Sequence, residues 1–189
     1  MKKIIVVLIL LLLPLHKSYC QSIESKLTHN AILIRLQTNI HLINYLIKAG
    51  QLEQAEKERL KQKRKNDEII ENFIKEWTLS PVYFFHSQYS NDIKQKNYKY
   101  LFKDKNKQPL NKEEINNLNS NYIIAFFGKT NNKIKFHALN FNNHEFNQLR
   151  KPLPRYVRSY HNLWFLKRNY KRIIQIMVRK FDFYYSRIQ

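Results

Sequence analysis

Two stretches of the chain are apolar without alternation. Pro81 leads into Val82, Tyr83, Phe84, Phe85 and His86, and Tyr122, Ile123, Ile124, Ala125, Phe126 and Phe127 run up to Gly128. Aromatic and β-branched residues suit a pleated, packed surface, and proline is tolerated at the first position of a strand. Runs that do not alternate mark strands covered on both faces. The pattern therefore predicts two interior strands, 81–86 and 122–127. Fully burying one Phe or Ile stabilises by roughly 1.5 to 3 kcal/mol, so such a pair can hold one core together. Ala31, Ile32, Leu33, Ile34, Arg35 and Leu36 form a third run of this kind and predict the first strand.

Between these runs the period changes. Leu42, Ile43, Leu46 and Ile47 have helical spacing over 39–48, and Gly50 suits the left-handed residue that closes a helix. Residues 51–77 read as a long helix, with Leu52, Ala55, Ile69, Ile70, Phe73, Ile74 and Trp77 mainly at steps of three and four. Its charged middle, 53–68, is expected to stand in water, and Glu53 and Lys57 are spaced for an ion pair. Tyr98, Lys99, Tyr100, Leu101 and Phe102 alternate and carry lysine, as an edge strand does. Asn111 and Glu114 have capping-box spacing for one short helix within an otherwise loop-like 104–121. Gly128, Lys129, Thr130, Asn131 and Asn132 offer hairpin chemistry between 122–127 and a returning arm at 133–141. Residues 142–150 read as a loop or short helix, and Pro152 and Pro154 keep 151–156 extended. The last predicted helix, 160–187, has Leu163, Leu166, Tyr170, Ile173, Ile174, Met177, Phe181 and Tyr184 on one stripe. These elements predict an α/β fold, a mixed sheet of four or five strands. A long charged helix and a C-terminal basic amphipathic helix pack on it, with the first two strands parallel across a crossover.

The first 20 residues read as a secretory signal, leaving 21–189 as one α/β domain. Lys2 and Lys3 precede an unbroken apolar run from position 4 to 13, Pro14 ends it, and Ser18 and Cys20 are the small residues a signal peptidase inspects. A spanning helix needs about 20 apolar residues, which this run does not reach. Two alternatives remain: lipid attachment at Cys20, for which Tyr19 is too large a neighbour, and an uncleaved anchor. Cys20 is the only cysteine, so its removal would leave no thiol, disulfide or cysteine-based metal site. The expected location is therefore periplasmic or secreted.

Lys and Arg number 34 against 14 Asp and Glu, a net charge of +20. Much of this comes with abundant Lys, Asn and Ile, whose codons are AT-rich, so the charge alone does not assign a partner. With two glycines, the chain has no glycine-rich phosphate loop of either common spacing. No two histidines have metal-ligand spacing, no GxSxG surrounds a serine, and the carboxylates fall largely on the charged helix. No cofactor is expected. His86, ending a buried strand, reads as a hydrogen-bonded core residue. An enzyme would require His86, His137 and a carboxylate to converge in the fold.

The most suggestive segment is basic and aromatic together. Arg150, Lys151, Arg155, Arg158, Lys167, Arg168, Lys171 and Arg172 interleave with Tyr156, Tyr160, His161, Trp164, Phe165 and Tyr170. Cations with stacking rings serve single-stranded nucleic acid, and a basic helix with interfacial Trp serves an anionic lipid surface. A core helix with a basic outer face has the same pattern. Export argues against nucleic acid as a physiological partner. Ala31 to Leu36, Pro81 to Phe85 and the basic run Leu149 to Arg158 together resemble small exported proteins of Bacteroidota, as does Cys20 followed by Gln21. That resemblance implies export and an α/β fold and carries no activity or site. The expectation is a non-catalytic envelope protein binding an anionic surface, an envelope polymer or a protein. An enzyme assembled only in the fold and a nucleic-acid binder are the alternatives.

Overall fold

The computed structural model describes residues 30–118, 121–131, 134–161 and 163–187. The expected signal sequence, Cys20 and His29 lie outside them. The elements in order are β1 (Ala31–Leu36), α1 (Ile40–Lys48), α2 (Leu52–Glu76) and β2 (Val82–His86). A single 3-10 turn (Ser87–Tyr89) then enters α3 (Ser90–Lys94). The remainder is α4 (Lys112–Leu118), β3 (Tyr122–Lys129), β4 (His137–Asn142), β5 (Tyr156–Arg158) and α5 (Tyr170–Tyr185). The fold is α/β, with the long helix and the C-terminal helix that the pattern predicts.

The sheet order is β2-β1-β3-β4-β5. β1 pairs in parallel with both β2 and β3, setting Ile34 beside Phe84 on one side and Ala125 on the other. β3 with β4, and β4 with β5, are antiparallel. Two reversals leave β5 running in the direction of β1, so the carboxyl ends of β1, β2, β3 and β5 lie at one end of the sheet. Alternate side chains point to opposite faces. Ile32, Ile34, Leu36, Phe84, Ile123 and Phe141 meet Ile69, Ile70 and Phe73 of α2, Trp77 just after it, and Ile173, Ile174, Met177 and Phe181 of α5. Leu33, Phe85, Tyr122 and Ile124 meet Ile93 of α3, Leu101 and Leu118 of α4 on the other face. Coverage on both sides is why β1, β2 and β3 show no alternation, although β2, expected as an interior strand beside 122–127, is the edge of the sheet and pairs with β1 instead.

Local signals hold where the partner is local. Asn111 Oδ1 accepts the Glu114 N–H and Glu114 Oε2 accepts the Asn111 N–H, each at 2.8 Å, completing the capping box of α4. Gly50 follows α1 at φ 73°, a conformation that suits glycine.

Elsewhere tertiary packing overrides the pattern. Tyr98 and Tyr100 lie in turns, and only Phe102 reaches β2, as one antiparallel bridge to Phe84. The fifth strand is β5 instead. Gly128 is not a turn residue: it sits within β3 opposite Ala138, where an added Cβ would stand 3.0 Å from the Phe126 ring. Thr130 ends the hairpin, accepting the Phe136 N–H at 3.1 Å and donating its own N–H to Phe136 O at 2.8 Å. α1 buries only Ile43 of its apolar stripe. The charged middle of α2 is not wholly in water, because Gln62 and Asn66 are buried there. Its ion pairs include Arg59 with Glu56 and Lys63 with Asp67.

Candidate anionic-surface interface

The candidate site begins where α5 begins. Asn169 is extended at φ −74° and ψ 167°, and its Oδ1 accepts the Arg172 N–H at 2.9 Å. That bond satisfies one of the unpaired N–H groups of the first turn and stops the helix there. Residues 160–161 and 163–168, which spacing assigned to the helix, lie in a closed loop. Tyr160 has φ 51°. The Leu163 N–H donates to Tyr160 O, the Leu166 N–H to Leu163 O, and the Arg168 N–H to Ser159 O, all at 2.9 to 3.0 Å. Arg168 Nη1 also donates to Arg158 O at 3.2 Å, and its guanidinium lies 4.7 Å from the centre of the Tyr160 ring.

The loop therefore presents its apolar residues outward. Leu163 and Leu166, expected on the buried stripe, are exposed, Phe165 is 65% exposed and Trp164 87%. The Trp164 and Phe165 rings meet edge to face at 5.9 Å. A contiguous exposed apolar patch on a folded protein marks an interaction surface.

Positive charge is dense in the chain on both sides of this tip. Arg158 stacks 3.7 Å from the Phe136 ring centre. Lys167 and Arg172 are exposed and have no ion-pair partner among the described residues. Lys171 Nζ lies 3.7 Å from Glu76 Oε1. His137 and His161 rings stand 5.3 Å apart. Burial, then His161, Lys129 and Lys65, hold the His137 pKa below its ordinary value. Three of these four causes are neighbouring cationic or ionisable groups, so the histidine registers a positive potential at this end of the sheet.

The eight cations predicted as one anion site divide. Arg158, Lys167, Arg168, Lys171 and Arg172 gather around the loop. Arg150, Lys151 and Arg155 precede β5 and lie at the opposite end, where Pro152 and Pro154 adjoin Lys180 and Arg187. β5, three residues long, stands between Arg155 and Arg158, about 10 Å at 3.3 Å per residue. The sequence signal missed for the tip is the unbroken run Leu163, Trp164, Phe165, Leu166, since a buried helical stripe needs gaps.

The histidines proposed for an enzyme also divide. His86 lines a cavity that includes Asp67, while His137 faces His161. His86 is not the hydrogen-bonded core residue expected, for its buried Nδ1 has no partner. Ser87 and Ser90 are engaged structurally: Ser90 Oγ donates to Ser87 O at 2.6 Å and accepts from Arg35 Nε at 2.9 Å, and Ser87 Oγ meets Thr38 Oγ1 at 3.1 Å. Among the described residues no group of His, Cys, Asp or Glu could hold a metal ion. No helix among them is long and apolar enough to cross a membrane. No protein-family model, curated protein or solved structure matches this chain.

Proposed function

We propose that the chain is an exported, non-catalytic protein that docks on anionic lipid surfaces through residues 160–168. The observation that carries this reading is the exposed Trp164 and Phe165 tip in a segment that also carries the exposed cations Lys167 and Arg172. Apolar rings enter the headgroup boundary, and the cations around them attract anionic lipid. A strand of nucleic acid needs rings and cations along a groove, whereas these rings project from a closed loop. The basic start and apolar run at positions 2–13 support export.

Vesicle flotation tests the proposal. Phosphatidylglycerol vesicles should carry the protein upward, and phosphatidylcholine vesicles should not. Replacing Lys167 and Arg172 with Gln removes two exposed charges, each worth about 1 kcal/mol at an anionic surface, so binding should weaken roughly 30-fold with a flatter salt dependence. Binding to single-stranded nucleic acid without binding to anionic vesicles would overturn the reading.

A further inference from the structure

We infer that the cavity between α2 and the carboxyl ends of β1 and β2 binds a small organic anion. Lys107 and His86 hold its oxyanion head, and Leu36, Ile43, Ile70 and Phe102 hold its apolar body. The cavity has a volume of about 270 Å³, just below the roughly 300 to 1,000 Å³ usual for small-molecule sites. It opens at the end of the parallel strands where α/β sheets bind ligands. The switch point of this strand order lies between β1 and β3, beside the cavity at β1 and β2.

Two residues of the lining have unmet chemistry. His86 Nδ1 is buried with no hydrogen-bond partner, and a buried polar atom left so is costly. Lys107 is the other. The remaining cations of the lining are paired: Arg59 with Glu56, Lys63 with Asp67, and Lys105 with Glu71. Lys107 has no ion-pair partner among the described residues, so it carries the uncompensated charge of the site. The fold holds its backbone in place. Its N–H donates to Asp104 O at 3.0 Å at the end of a turn where its own φ is 60°. Phe102, which begins that segment, exchanges backbone hydrogen bonds with Phe84 and lies 5.4 Å from the His86 ring. Burial and then Lys107 lower the His86 pKa from its ordinary value. An anion between them would offset the second effect.

Buried amides complete the wall. Gln62 Nε2 donates to Asn66 Oδ1 at 3.0 Å, and Asn66 Nδ2 donates to Gln37 O at 2.9 Å. Each amide nitrogen carries two N–H groups, of which these bonds use one.

The test is an NMR titration of the His86 imidazole with phenyl phosphate and with benzoate, using phenol as the neutral control. At least one anion should give a saturable shift and raise the His86 pKa, and phenol should not. Lys107→Ala should weaken that binding at least roughly tenfold. Lys107 is exposed, so this variant should keep the wild-type melting temperature. The inference is overturned if neither anion saturates, if phenol binds as tightly as they do, or if Lys107→Ala binds as tightly as wild type. Neither residue belongs to the loop at 160–168, so the outcome is independent of lipid binding.

Discussion

Replacing Asn169 with Ala distinguishes two structures that the apolar spacing alone permits. In the folded chain Asn169 caps α5 through its 2.9 Å bond to the Arg172 N–H. Removing an Asn cap costs about 1 kcal/mol, with a range of roughly 0.5 to 2. For a chain of this size that lowers the melting temperature by roughly 2 to 4 °C. If the helix instead ran unbroken through 160–187, position 169 would be interior. Alanine would then stabilise it by roughly 0.7 kcal/mol over Asn, and the melting temperature would rise. The signs are opposite, so thermal denaturation followed by circular dichroism decides. Asn169→Asp is the control: it keeps the acceptor and adds a charge that favours a helix N-terminus, so stability should hold. A rise in melting temperature for Asn169→Ala would refute the loop, and with it the outward placement of Trp164.

Further outcomes follow from burial and charge. Phe73 is fully buried and its neighbour Ile74 is 52% exposed. Urea denaturation should therefore give a loss of roughly 3 to 5 kcal/mol for Phe73→Ala and within about 0.5 kcal/mol for Ile74→Ala. The folded pKa of His86 is lowered from 6.5, so the unfolded chain binds the extra proton. The stability this adds is present above that value and is lost as pH falls through the lowered folded value. Urea midpoints should thus fall between pH 7.5 and 5, and His86→Gln should flatten the fall in part, because His137 is shifted the same way. Replacing Trp164 and Phe165 together with Ala should leave the melting temperature unchanged. It should weaken vesicle binding by roughly 2 to 3 kcal/mol, about 30- to 150-fold.

The parts of the fold legible in the sequence are those whose cause lies nearby or in bulk composition. β1, β2 and β3 announce themselves because both faces are apolar, and the box at Asn111 and Glu114 is built within four residues. The stripe of α5 is legible from Ile173 to Phe181 for the same reason. What stays hidden depends on distant partners. Gly128 resembles a turn residue until Phe126 and Ala138 are seen around it. Gln62 and Asn66 look solvated, yet Asn66 is held by the Gln37 carbonyl. β5 is three residues long and exists because Val157 pairs with Leu139. The basic segment was legible as composition, whereas its division between two ends of the sheet follows from the direction of β5 and the cap at Asn169.

Trp164 fluorescence during vesicle titration tests the central claim most directly, since the other tryptophan, Trp77, is already buried. Phosphatidylglycerol vesicles should shift the emission to the blue, with an affinity that falls as salt rises, and phosphatidylcholine vesicles should leave it unchanged. An emission spectrum indifferent to phosphatidylglycerol, or equally responsive to both lipids, would contradict docking through this loop.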